Sequence, residues 1–244
     1  MSLTDWNVFK DGGSLSENIQ GNVYTEIITP IDGTGSVLFT TTPSNDFQSM
    51  NVIPSIISTG YRSGRVRSLL RFKQGSPASS SFLNYAGILC MQSVTDMAKF
   101  GVFGGTGQGY GMAVIIGNSF TLQEVRLLKF TSGLDGSSGN LTPYSLSSVP
   151  LPFVLSANSV MCIELVWRTD QATLDDVGGG YFSLRVGQQQ NFSDLTQVIS
   201  YVDSISVYTG TVGEGLWVGM KGLSSQTSNL IAFDDTYVYR TSIT

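Results

Sequence analysis

The chain has no histidine among its 244 residues. That removes Ser-His-Asp and Cys-His catalysis and every zinc site that depends on imidazole. Charge is scarce as well: Asp, Glu, Lys and Arg make up 13% of the residues, about half the usual share. The formal net charge is −5 and the pI is near 4.6. This balance argues against nucleic acid as a partner, since neutralising phosphates needs a positive surface. Only two cysteines occur, Cys90 and Cys162, both inside apolar runs. They read as buried thiols behaving as small hydrophobes. The first residues, Met1 to Trp6, lack the basic start and apolar core of a secretion signal. No run of about 18 apolar residues is present, so no membrane span is expected. Convincing helical periodicity, a fixed internal repeat and a linker are missing too. A single domain over 1–244 is expected, with residues 1–20 as an N-terminal arm or edge strand.

What the chain has is alternation. Hydrophobic residues are 41%, with 13 Phe, 10 Tyr and 3 Trp, enough to build a core. Short alternating runs bounded by Gly, Ser, Asn, Asp or Pro follow one another along the chain, which is the pattern of an all-β protein. Over Arg65 to Lys73, Val66, Ser68, Leu70 and Phe72 share one face, while Arg65, Arg67, Leu69, Arg71 and Lys73 share the other. Over Val160 to Arg168, Met161, Ile163, Leu165 and Trp167 share a face. Gln197 to Tyr208 reads as a strand with a bulge. The closing strand, Leu230 to Arg240, implies a sheet in which the first and last strands are neighbours. Unbroken alternation there puts Ile231, Phe233, Asp235, Tyr237 and Tyr239 on one face. Phe233, Tyr237 and Tyr239 would then form an outer aromatic stripe, and a stripe of that size calls for a partner. With the basic face of Arg65, Arg67 and Arg71 it is the expected interface with other copies of the chain or other proteins.

From Arg65 onward the order of segments resembles the concanavalin A-like lectin and laminin-G-like β-sandwiches. The matching segments are Val66 to Phe72, Tyr85 to Leu89, the hairpin Ile163–Trp167 to Tyr181–Gly187, the penultimate Leu216 to Met220 and the closing Phe233 to Tyr239. The resemblance implies an antiparallel β-sandwich of jelly-roll type, a fold that hosts lectins, glycosidases, lyases and structural modules alike.

Chemistry is sparse. A glycosidase on such a fold needs two carboxylates facing one cleft. None of the five glutamates (17, 26, 124, 164 and 214) has an acidic residue two positions away. Glu164, between Cys162 and Val166 on its face, reads as an isolated carboxylate, and no catalytic residue is expected. Asp170, Asp175 and Asp176 share one turn; they read as an ordinary polar turn, with calcium as the metal they could take. Asp234 is expected to accept backbone N–H bonds. A carbohydrate platform needs aromatics near loops, and Tyr110, Tyr144, Tyr181 and Trp217 are the candidates by position. Low charge with much Gly, Ser, Thr, Asn and Gln resembles bacteriophage virion proteins. That likeness implies a non-enzymatic head-decoration, tail or fibre-associated subunit located in the virion. The alternative is a carbohydrate-binding, lectin-like module with a cell-surface glycan as partner; the third is an enzyme acting on polysaccharide.

Overall fold

The computed structural model describes residues 6–11, 23–26, 31, 36–41, 47–52, 63–72, 83–92, 109–117, 120–130, 144–168, 180–204, 213–221 and 229–241. The elements within them are fourteen strands: β1 (Trp6–Asp11), β2 (Val23–Glu26), β3 (Ser36–Thr41), β4 (Phe47–Val52), β5 (Ser63–Phe72), β6 (Leu83–Gln92), β7 (Gly109–Gly117), β8 (Gln123–Phe130), β9 (Tyr144–Pro150), β10 (Val160–Arg168), β11 (Gly180–Gly187), β12 (Thr196–Asp203), β13 (Gly213–Lys221) and β14 (Asn229–Thr241). They form two antiparallel sheets of seven. Sheet A runs β1-β4-β13-β6-β7-β8-β9, and sheet B runs β12-β11-β10-β5-β14-β3-β2.

The core lies between the sheets and is built by strict alternation. From β5 come Val66, Leu70 and Phe72; from β10 come Met161, Ile163, Leu165 and Trp167; from β7 come Tyr110, Met112, Val114 and Ile116. Burying such side chains stabilises by about 1.5–3 kcal/mol each, so each strand has one face that cannot be turned outward. A polar link also joins the sheets. Lys129 of β8 and Asp203 of β12 pair at 2.5 Å, and the Tyr110 hydroxyl donates to the same Asp203 oxygen at 2.7 Å.

Three expectations need correction. The first and last strands are not neighbours: β1 is the edge of sheet A, whereas β14 lies inside sheet B between β5 and β3. The closing strand does find early partners, but they are β3 and β5, because its apolar residues pack across from sheet A. Alternation along β14 is also broken. Asp234 pairs with Leu69 and Tyr237 with Arg67, so three steps on β14 match two on β5. This is a bulge, and Asp235 sits in it at φ 44°. Phe233 before the bulge is fully buried in the inter-sheet core, while Tyr237 and Tyr239 after it are 43% and 40% exposed. The outer stripe therefore does not include Phe233. The two cysteines are free and buried. Cys90 is in the inter-sheet core, and Cys162 is on the outer side of sheet B with Leu69, Ala232 and Ile31.

Candidate functional site

The outer face of sheet B carries the densest chemistry among the described residues. Pairing across β11, β10, β5 and β14 lays its residues out in rows. One row is Ser183, Val166, Arg65 and Tyr239; the next is Arg185, Glu164, Arg67 and Tyr237; the third is Gly187, Cys162, Leu69 and Asp234. Rows along a strand are separated by about 7 Å and neighbouring strands by about 4.8 Å. Positions two apart therefore bring long side chains within reach of each other.

Glu164 is the hub of the first two rows. Its side chain is 2% exposed, and both its oxygens are engaged. Arg185 Nη1 donates to Oε1 at 3.1 Å, and Arg65 Nε lies 3.6 Å from Oε2. Each guanidinium has five N–H donors, so one carboxylate satisfies a small part of the two. Both arginine side chains remain 40% exposed.

On the other side the arginines meet aromatic rings. The Arg65 guanidinium carbon is 4.2 Å from the centre of the Tyr239 ring, and that of Arg67 is 4.5 Å from Phe192 and 4.8 Å from Tyr237. These are cation–π distances. Tyr237 and Tyr239 lie two residues apart, nearly parallel at 23°, with centres 6.5 Å apart. Arg67 Nε is buried and finds no hydrogen-bond acceptor; the rings around it supply its partners.

The wall beside Arg67 is the turn between β11 and β12. Asp194 ties it down, accepting from the N–H groups of Gln188 and Gln189 at 2.8 and 3.0 Å. Slight burial opposes ionisation, but those N–H bonds hold the Asp194 carboxyl below its ordinary value. The turn brings Phe192, at φ 62°, edge-on to Tyr237. Beneath it the Cys162 thiol is pushed up to about 12, by burial first and then by the adjacent Asp194 carboxylate, which leaves it without nucleophilic character at neutral pH.

At the opposite end of the rows lies a depression of about 310 Å³, bounded by Arg65, Val166, Arg168, Arg185 and Tyr239 over Ser63, Gly64 and Trp167. Gly64 is required here: a Cβ would come within 2.6 Å of the Trp167 ring and 2.7 Å of the Tyr239 carbonyl oxygen. Arg168 is exposed at the rim.

The residues singled out from sequence scatter. Arg65, Arg67, Tyr237 and Tyr239 come together on this face, and Tyr181 lies next to it, opposite Arg168. Arg71 is on the same face but is 9% exposed, in the half covered by apolar packing. Two of the proposed platform residues are core. Tyr110 is fully buried and packs on Phe182 with centres 4.2 Å apart. Trp217 is 1% exposed, and its indole N–H donates to the Met112 carbonyl at 3.2 Å. Loop proximity failed as a signal for both: alternation turns Tyr110 into the inter-sheet core, and Trp217 is turned outward but is covered by its neighbours on the outer face of sheet A. The Tyr144 side chain and Asp170, Asp175 and Asp176 lie outside the described residues. Asp234 accepts a backbone N–H bond, from Asp235 at 2.9 Å. Sequence reading passed over Glu164 as the hub, Arg185 and Phe192. Arg185 and Glu164 were findable from hairpin pairing alone; Phe192 was not, since a turn's path depends on tertiary contacts.

The outer face of sheet A differs. Tyr85, Leu89, Ala113, Ile115, Leu128 and Trp217 form a buried apolar cluster there. Near it, Glu124 pairs with Arg126 and accepts from the Ser148 hydroxyl at 2.9 Å.

No protein-family model matches the chain, and no curated protein matches it in sequence. Solved structures do match in fold. The carbohydrate recognition domain of Emp46p, in its potassium-bound form, is 11% identical with a TM-score of 0.53, over 99% of this chain and 91% of that one. The seed lectin of Lotus tetragonolobus is 9% identical with a TM-score of 0.51, over 99% and 95%. A family 7 alginate lyase in complex with product is 12% identical with a TM-score of 0.50, over 98% and 96%. The fold is thus an all-β sandwich of the concanavalin A-like lectin type.

Proposed function

We propose that the chain is a carbohydrate-binding protein without catalytic activity, and that it takes its ligand on the outer face of sheet B. The observation that carries this is the exposed, nearly parallel Tyr237–Tyr239 pair beside the half-exposed guanidiniums of Arg65 and Arg185. A sugar presents an apolar C–H face to an aromatic ring and hydroxyl oxygens to adjacent donors. The fold is shared with a carbohydrate recognition domain and a seed lectin, which supports binding over the virion-subunit reading, for which composition remains the support. Binding without turnover is favoured because Glu164 is already held by two arginines and Glu124 by Arg126. Neither pair of groups offers the free acid and free base that hydrolysis divides between them.

A glycan array with the purified chain tests this. The expected result is retention of at least one oligosaccharide class, lost by about ten-fold or more on Tyr237→Ala with Tyr239→Ala. Retention that survives both changes would move the site elsewhere, and no retention at all would overturn the function.

A further inference from the structure

We infer that the ligand is an anionic glycan, one whose carboxylate or sulfate groups are taken by the guanidiniums of Arg65, Arg185 and Arg168; this rests on the carbohydrate-binding reading of the same face. Among the described residues, four arginines, Arg65, Arg67, Arg168 and Arg185, and one carboxylate, Glu164, stand around the depression and the row beneath it. Glu164 shows what the guanidiniums are oriented to hold, because two of them already converge on its oxygens from neighbouring strands. It also fixes their side chains, so less rotamer freedom is lost when a second acid arrives. The unused donors of Arg65 and Arg185 remain on solvent-accessible side chains, and Arg168 has its side chain exposed at the rim. A fork of N–H donors matches carboxylate and sulfate oxygens in a way it does not match a lone hydroxyl.

Charge placement supports the same ligand. The chain as a whole carries −5, so a local excess of guanidinium is not a by-product of a basic surface. An anionic polymer would be repelled by most of this molecule and drawn to this face, which orients the encounter. The tyrosines then select a sugar among anions: one face of Tyr239 is covered by Arg65, and the 40% of the residue left exposed gives a ring for a pyranose to lie against.

Titration calorimetry with four defined ligands separates the outcomes: an oligogalacturonate, its methyl ester, a sulfated oligosaccharide and a neutral cello-oligosaccharide. The acid or the sulfate should bind about ten-fold or more tightly than the ester and the neutral chain. Binding should weaken when salt is raised from about 0.05 M to about 0.5 M. Comparing the uronate and sulfate arms identifies which acid is preferred. Arg168→Glu, an exposed change that leaves the Glu164 ion pairs in place, should reduce acid binding at least ten-fold with an unchanged unfolding midpoint. Arg65→Lys keeps the charge but not the fork, and should cost several-fold. Equal binding of ester and acid would overturn the anionic assignment and leave the carbohydrate reading standing. Binding of no glycan would overturn both, as would a single-stranded oligonucleotide that binds as well as the acid glycan.

Discussion

Two halves of one sheet face differ sharply. On the outer side of sheet B, the half around Leu69, Cys162 and Ala232 is apolar and buried, with Phe192 and Leu195 packed against it. The half around Arg65, Glu164, Arg185, Tyr237 and Tyr239 is charged, aromatic and open to solvent. The same four strands run through both. The boundary coincides with the bulge in β14 at Asp235, which brings Tyr237 and Tyr239 onto the outer face after Phe233 has pointed inward. One extra residue thus lets a single strand supply core on one side and ligand-facing aromatics on the other.

Truncating the aromatics on either side of the bulge gives the largest contrast. Phe233→Ala empties a fully buried site and should cost about 3–5 kcal/mol in urea unfolding. Tyr237→Ala, at 43% exposure, should cost no more than about 1 kcal/mol while impairing ligand binding. Similar costs for the two would mean that the bulge does not separate core from surface.

Support for the bulge comes from inside. Ser68 is the one polar residue among the inward positions of β5 from Val66 to Phe72, and it is fully buried. Its hydroxyl lies 2.9 Å from the Asp234 carbonyl oxygen and 2.8 Å from the Thr236 hydroxyl. Ser68→Ala removes both bonds from a buried site and should cost about 1–3 kcal/mol. Thr236→Ala in the same background should add little, since the pair acts as a unit.

The covered half can be probed by thiol chemistry. The folded-state value of Cys162 is raised from 9.0 to about 12. A thiol raised in this way contributes stability that is complete below the unfolded value and is lost as pH climbs from about 9 toward 12. Iodoacetamide at pH 8 should therefore modify the urea-unfolded chain at both cysteines and leave the folded chain unmodified over the same time. Rapid labelling of Cys162 in the folded protein would show that this half is open like the other.

Much of this was legible in the residues. The inward sets of β5 and β10 follow from alternation, because a half-buried strand has no other way to satisfy both faces. The basic face of β5 was visible for the same reason. The hub at Glu164 was legible only in part: hairpin pairing sets Arg185 opposite it, but Arg65 comes from β5 on its other side, which chain order does not place beside β10. Nor could the split between Phe233 and Tyr237 be read. A bulge inserts one residue without a composition signal of its own, and Asp235 looks like any strand-end aspartate. Tyr110 misled because an aromatic near a glycine-rich turn looks the same whether its strand parity turns it in or out, and Trp217 because its parity turns it outward into a cluster that buries it on the outer face of sheet A.

A deletion with a small expected effect is the sharpest test of the bulge. Deleting one residue from a strand ordinarily flips every later side chain to the wrong face. In β14 the count runs the other way. Without Asp235, Thr236 falls opposite Ser68 and Tyr237 stays opposite Arg67, so Val238 still points inward and Tyr239 outward. The left-handed backbone at Asp235 is removed at the same time, which offsets the lost contacts of the bulge. Deletion of Asp235 should therefore change stability by no more than about 1–2 kcal/mol, the range of an ordinary surface substitution and a local hydrogen bond, and should leave ligand binding within a few-fold of the parent. Deletion of Thr236 or Ala232 is the matched control. Removing Thr236 brings Asp235 opposite Ser68 and places a carboxylate at a buried position, and removing Ala232 shifts Ile231 out of the core, so either should unfold the protein at far lower urea. If deleting Asp235 proved as damaging as deleting Ala232, the extra residue would be holding more than the parity of one strand.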